Sequence, residues 1–263
     1  MSKIRKRLAA LFFVLAMIPA VNPAQTSGLK IKSGIDPAVL AKAKAGDAEA
    51  QFSVATAYRN GLGVPKDQVK SVSWLRKSAE QDLPYAQYDL GLCYSLGKGV
   101  TKDDAQAAAW YHKAASQGQS DAMRALAMLY DEGKGVQKDT KQAFELFSKA
   151  ALEGDAYSQF QLGIDYGFGY QGAKQDENVA AEWFRKSAEQ GIVGAQVNLA
   201  MHLHNQPEEV YYWLSLAAPH LTGDTLDRIA KVRDAAAVVL TPAKHAEIDE
   251  RIKQWQDARK PQQ

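Results

Sequence analysis

The feature that most constrains this chain is a motif that returns at a fixed interval. Ala86, at the start of the stretch AQYDLGLCYSLGKGVTKDDAQAAAWYHKAASQG, falls on Ala50 to its left and on Ala122, Ser158 and Ala195 to its right, at offsets of 36, 36, 36 and 37 residues. A period of this size marks a repeat array, in which each unit supplies one supersecondary element and buries its apolar faces only by stacking on its neighbours. The length of 263 residues would otherwise suggest one or two globular domains.

Each copy reads as two helices. Ala86, Leu90 and Tyr94 form an i, i+4, i+8 stripe. Small residues follow the leucine row at Ala55, Gly91, Ala127, Gly163 and Ala200, where a missing side chain allows close approach of a neighbouring helix. Gly97-Lys98-Gly99-Val100 supplies the positive φ angles that end the first helix. Asp103 is placed to cap the second, with Gln106 three residues on as the other half of a capping box. That helix carries Ala107, Trp110, Ala114 and Ala115 and closes at Gly118. The capping aspartate returns as Asp67, Asp139 and Asp176; the tryptophan returns as Trp74, Trp183 and Trp213, with Leu146 in its place in the third copy. The fourth copy has an extra residue around Tyr170-Gln171, and the fifth replaces the glycine loop with Asn205-Gln206-Pro207.

The composite pattern, A-x-x-x-L-G-x-x-Y-x-x-G-x-G-V-x-x-D followed by W-x-x-K-A-A-x-x-G, resembles the Sel1-like repeat family, helix-turn-helix units related to the tetratricopeptide repeat. The resemblance covers about Ala50 to Pro219. It implies an all-α, right-handed α-solenoid with terminal capping helices, and a role as a protein-binding scaffold, often bacterial and often in the cell envelope. The repeats are expected at 50–85, 86–121, 122–157, 158–194 and, truncated, 195–219. A lead-in and an N-terminal capping helix occupy 25–49, with Asp36-Pro37 as cap and first helical residue. Two capping helices and a tail occupy 220–263, the second helix opening at Thr241-Pro242.

Residues 1–24 stand apart. Lys3, Arg5, Lys6 and Arg7 precede a short apolar run from Leu8 to Ile18, with Ala20 and Ala24 as cleavage positions, which is how a secretory signal peptide reads. The run falls short of the roughly 20 apolar residues that span a bilayer. The expected destination is the periplasm or the medium, with no stable membrane span after cleavage. The whole chain is +2; without those four basic residues it holds 28 basic and 30 acidic residues, a net of −2. No nucleic-acid partner is expected from such a balance. Cys93 is the only cysteine, so no internal disulfide can form, and its helical position reads as a small buried hydrophobe.

No catalytic motif emerges. Ser95-Leu96-Gly97-Lys98 fits the Ser-x-x-Lys of penicillin-recognising enzymes but straddles a helix end that the repeat already explains, and its partner motifs are missing. Cysteine-rich relatives have been described as acting on β-lactams; this chain lacks their paired cysteines. His202 and His204 point about 200° apart on a helix and cannot share an ion locally, so the histidines read as surface or helix-end residues. Each repeat turn offers too few oxygen ligands for calcium. The expectation is a protein without catalytic residues, metal or cofactor.

Binding is expected on the first helices, opposite the packing stripe. The third row there reads Phe52, Tyr88, Arg124, Phe160, Val197 and the seventh Thr56, Leu92, Met128, Ile164, Met201; these either line a groove or pack against neighbouring helices. The tenth and eleventh rows, read as exposed, hold Arg59, Asn60, Ser95, Leu96, Asp131, Glu132 and Phe168. Concave repeat surfaces recognise partners through such residues. The predicted contact set is therefore Arg59, Asn60, Tyr88, Ser95, Leu96, Arg124, Asp131, Glu132 and Phe168, and the predicted function is that of an exported, non-catalytic adaptor or regulator whose partner is another protein or peptide. The alternative is an envelope enzyme or binder acting on β-lactam or cell-wall glycan ligands.

Overall fold

The structure, a computed structural model, describes residues 34–259. The segment read as a leader, the lead-in up to residue 33 and the last four residues lie outside the described residues. Among the described residues there are thirteen α-helices, one 3-10 turn and no strand. They fall into two compact units that meet in sequence at Asp155 and Ala156.

The first unit holds α1 (Pro37–Lys44) and three helix pairs: α2 (Ala48–Asn60) with α3 (Gln68–Ala79), α4 (Pro84–Leu96) with α5 (Asp104–Ser116), and α6 (Ser120–Glu132) with α7 (Thr140–Leu152). Each helix packs on the next. The alanine and leucine rows form the core: Ala86, Leu90, Ala107, Ala114 and Ala122 are completely buried. Cys93 is buried among Leu75, Leu90 and Trp110, and burial pushes its thiol up to about 11, away from nucleophilic use.

The hairpin between paired helices is built from two devices. α2, α4 and α6 end on left-handed glycines, Gly61, Gly97 and Gly133. Two residues on, the second glycine of the later two loops touches the preceding repeat, while Gly63 of the first loop meets Gly34 before the repeats. A Cβ on Gly99 would lie 2.3 Å from the carbonyl oxygen of Gln68, and one on Gly135 would lie 2.2 Å from the backbone of Asp104. Gln68 and Asp104 are the first residues of α3 and α5, so these two loops rest on the start of the previous repeat's second helix.

The aspartates cap as expected: Asp103 accepts from the amides of Ala105 and Gln106, and Asp139 from those of Lys141 and Gln142. The reciprocal half of the capping box is not formed. The Asp103 amide donates instead to the Tyr94 carbonyl at 3.0 Å, and Asp67 and Asp139 do the same to Tyr58 and Tyr130. Those carbonyls belong to the last turn of the first helix and lack an intrahelical partner. One bond thus satisfies an orphan at each helix end, and the glutamine is not needed.

A second polar device joins successive repeats. Gln51 and Gln87 are buried; their side-chain amides donate to the carbonyls of Ala43 and Ala79 at the ends of the preceding helices, and their oxygens accept from Gln81 and Gln117. In the third copy Met123 takes this position.

The second unit holds α8 (Ala156–Phe168), α9 (Glu177–Glu189), α10 (Val193–His202), α11 (Pro207–Ala217), the 3-10 turn Ala218–His220, α12 (Gly223–Val238) and α13 (Pro242–Asp257). Its core gathers Phe184, Leu199, Trp213, Leu214 and Leu216, with Ile229 and Ile248 contributed by the last two helices. Here too Asp176 caps α9 while its amide bonds Tyr166, and the amide of Gln190 donates to Gln159. α13 is fastened by Arg251, which lies 3.7 Å over the Tyr212 ring and bonds Glu209 at 2.9 Å. His204 is exposed, and His202 is the helix-end residue expected, closing α10, though its ring is turned inward rather than to the surface. Its ring is largely buried beside Phe184, with Nε2 at 2.8 Å from Glu177 and Nδ1 at 2.9 Å from the Asn198 carbonyl.

The deepest row of the second helices is the one after the tryptophans. Phe184 and Leu214 are fully buried and Leu75 and Tyr111 nearly so, whereas Trp74 and Trp183 are half-exposed beneath lysines one turn on. Gly91 and Gly163 face this row: a Cβ there would fall 2.7 Å from the Tyr111 ring and 2.5 Å from the Phe184 ring. The close approach inferred from the small residues is therefore to an aromatic ring of the same repeat.

Candidate binding face

In the first unit α2, α4 and α6 present corresponding residues, and their polar groups divide into two sets. Arg59 forms an ion pair with Asp89 of the next first helix. Arg124 bridges Asp121 of its own helix and Asp155, with Nε at 3.1 Å from the latter. Tyr88 packs its ring 5.7 Å from Tyr111 and shares a hydrogen bond with Arg124; burial raises its phenol above the ordinary value, aided by Asp121. Phe52 meets Tyr85 edge-on at 4.6 Å. Arg59, Tyr88 and Arg124, predicted as contact residues, are thus engaged in holding adjacent repeats together.

The other set lies at the helix ends. Asn60, Leu96 and Glu132 are exposed, Leu96 to 51%, and each is the last residue of its helix. Ser95 is half-buried and bonds the Tyr111 hydroxyl. Asp131 is half-buried; desolvation raises its carboxyl pKa, with Glu132 adding to the rise and Lys138 opposing it. Glu132 pairs with the exposed Lys134 at 2.5 Å. Phe168, in the second unit, is half-buried and stacks on Tyr170 with centroids 5.6 Å apart.

Of the third and seventh rows, Val197 and Ile164 are buried and the rest half-buried. The buried glutamines carry a signal in the sequence beyond the apolar stripe: four of the five copies place Gln directly after the first alanine or serine, at 51, 87, 159 and 196. A polar residue phased with the core is the signal for a satisfied buried bond.

The sequence model of the Sel1 repeat matches four times, over residues 48–83, 84–119, 120–155 and 156–192. The chain belongs to the Sel1 repeat family. Its fold class is an all-α solenoid of Sel1 repeats. The α10–α11 pair, which lacks the glycine loop, falls outside the matched residues. Among solved structures, a Sel1 repeat protein from Oxalobacter formigenes is similar at 30% identity and a TM-score of 0.66, over 80% of this chain and 88% of that one. A protective antigen of uropathogenic Escherichia coli with the same repeat fold matches at 30% identity and a TM-score of 0.54, over 82% of this chain and 55% of its own. A Klebsiella pneumoniae Sel1 repeat protein aligns at 21% identity and a TM-score of 0.47, over 76% of this chain and 98% of its own. No curated protein matches the sequence significantly. Sel1 repeat proteins serve in general as protein-interaction scaffolds.

Proposed function

We propose that this Sel1 repeat protein is an exported, non-catalytic adaptor or regulator that recognises another protein or peptide through the first helices of its central repeats. The observation that carries the reading is the division of labour on those helices. Packing positions repeat from copy to copy, whereas the helix ends read Arg59-Asn60, Ser95-Leu96 and Asp131-Glu132, the second residue of each pair exposed and the first half-buried. Shared residues supply the geometry of a repeat surface, so selectivity falls to the unshared ones. The half-buried Leu92 and Met128 stand one turn before these ends and offer apolar anchoring beside them.

Export is supported by the basic-then-apolar start of the sequence, and no helix among the described residues is long and apolar enough to cross a membrane. N-terminal sequencing of the protein expressed with its full leader is expected to find a product that begins near Gln25 in the periplasmic fraction. A product beginning at Met1 and confined to the cytosol would refute export. The function itself is tested by affinity capture from a periplasmic extract with identification by mass spectrometry. A reproducible, saturable protein or peptide partner is expected; retention of glycan fragments alone would overturn the reading.

A further inference from the structure

The first unit divides its charge between its two sets of helices. α2, α4 and α6 carry five carboxylates against two arginines, a net of −3; α3, α5 and α7 carry six cationic side chains against two carboxylates, a net of +4. Both arginines of the acidic set are committed within the protein, Arg59 to Asp89 and Arg124 to Asp121 and Asp155. Glu49 stands at the far end of α2 and bonds the Tyr85 hydroxyl, so what the C-terminal ends of the first helices offer a partner is the carboxylate pair Asp131 and Glu132, beside the apolar surface of Leu92, Leu96 and Met128.

We propose that this face docks a basic amphipathic segment, with lysine or arginine head groups on the carboxylates and apolar side chains on Leu92, Leu96 and Met128. Two lysines now stand near those carboxylates, Lys134 on Glu132 and Lys138 close to Asp131. Lys134 is 55% exposed. Exposed pairs of this kind contribute little and exchange readily, so a partner's cation can replace them. A general attraction for cations is not the explanation, because the chain without its leader carries a net charge of only −2. The proposal rests on the first-helix face being the binding surface and names the chemistry of what it binds.

The test uses the leaderless chain and two fluorescein-labelled helical peptides of leucine and lysine, identical except that one has every lysine replaced by glutamate, read by fluorescence anisotropy at low salt. The lysine peptide is expected to bind, more weakly as salt rises, and the glutamate peptide not to bind. Asp131→Asn with Glu132→Gln is expected to weaken the lysine peptide roughly fivefold, as loss of two solvent-accessible charge contacts should. Leu96→Ser, at an exposed position that leaves the fold intact, is expected to weaken it as well. No binding of the lysine peptide, or binding that neither variant changes, would overturn the proposal, while the choice of face stands or falls on whether charge reversal at Asp131 and Glu132 abolishes partner capture. Equal binding of both peptides, weakened by Leu96→Ser but not by the carboxylate changes, would overturn the charge assignment alone and leave the face as the binding surface.

Discussion

Replacing Gly135 by alanine will destabilise the first unit by roughly 3–5 kcal/mol, the sum of left-handed strain in a non-glycine residue and overpacking against a rigid neighbour. The residue sits at φ +67°, and its Cβ would overlap the backbone of Asp104 at 2.2 Å. No side chain can rotate away from that contact, since what it meets is the first residue of α5. Gly99→Ala should behave alike, with φ +74° and the Gln68 carbonyl at 2.3 Å. Gly118 provides the control. Its φ is +89°, but nothing lies within 4 Å of the position its methyl would take, so alanine there should cost only about 1–2 kcal/mol. Urea midpoints are the measure, because repeat arrays need not unfold in two states. Equal midpoint shifts for Gly135→Ala and Gly118→Ala would show that the loop does not press on the preceding repeat.

Phe184→Ala is the second large effect, about 3–5 kcal/mol for emptying a fully buried aromatic site. Its partner gives the sharper experiment. Gly163→Ala puts a methyl 2.5 Å from the Phe184 ring and should cost about 1–3 kcal/mol through overpacking. The first and fifth copies pair alanine with leucine at these two positions, Ala55 with Leu75 and Ala200 with Leu214, and all four residues are buried. Gly163→Ala combined with Phe184→Leu should therefore lose less stability than the two single changes added together. Residues in contact couple by roughly 0.5–3 kcal/mol in such cycles. Strict additivity would mean that ring and glycine do not compete for the same space.

Much of this architecture is legible in the sequence because it rests on local rules repeated several times. Gly97, Asp103 and Leu90 mark a helix stop, a cap and a core row, and each does what its chemistry implies. The failures occur where two elements bargain over one group. Gln106 has the spacing for a capping box, but the Asp103 amide is taken by Tyr94, a residue of the other helix. Trp110 draws attention by size, yet the adjacent Tyr111 row goes deeper, which the spacing of 107, 111 and 114 would have revealed. His202 closes its helix as expected, but its contact with Glu177 of another helix is one that no spacing within the repeat displays. On the candidate face the same principle applies: the Arg59–Asp89 pair and the Tyr88–Arg124 bond run between repeats, and no single copy of the motif displays them.

The most direct measurement of the proposed recognition is partner capture by two charge-reversed proteins. Asp131→Lys with Glu132→Lys changes the first-helix face; Lys141→Glu with Glu145→Lys changes exposed positions on a second helix. Glu132, Lys141 and Glu145 are exposed and Asp131 is half-buried outside the packed rows; substitutions away from the core usually alter stability by no more than about 0.5 kcal/mol, so helix content and melting midpoint should stay nearly constant in both. The first protein is predicted to lose its captured partner and the second to retain it. Capture that survives both reversals or fails in both would contradict the account, as would unfolding of the first protein, since Asp131 and Glu132 would then belong to the core rather than to a binding surface.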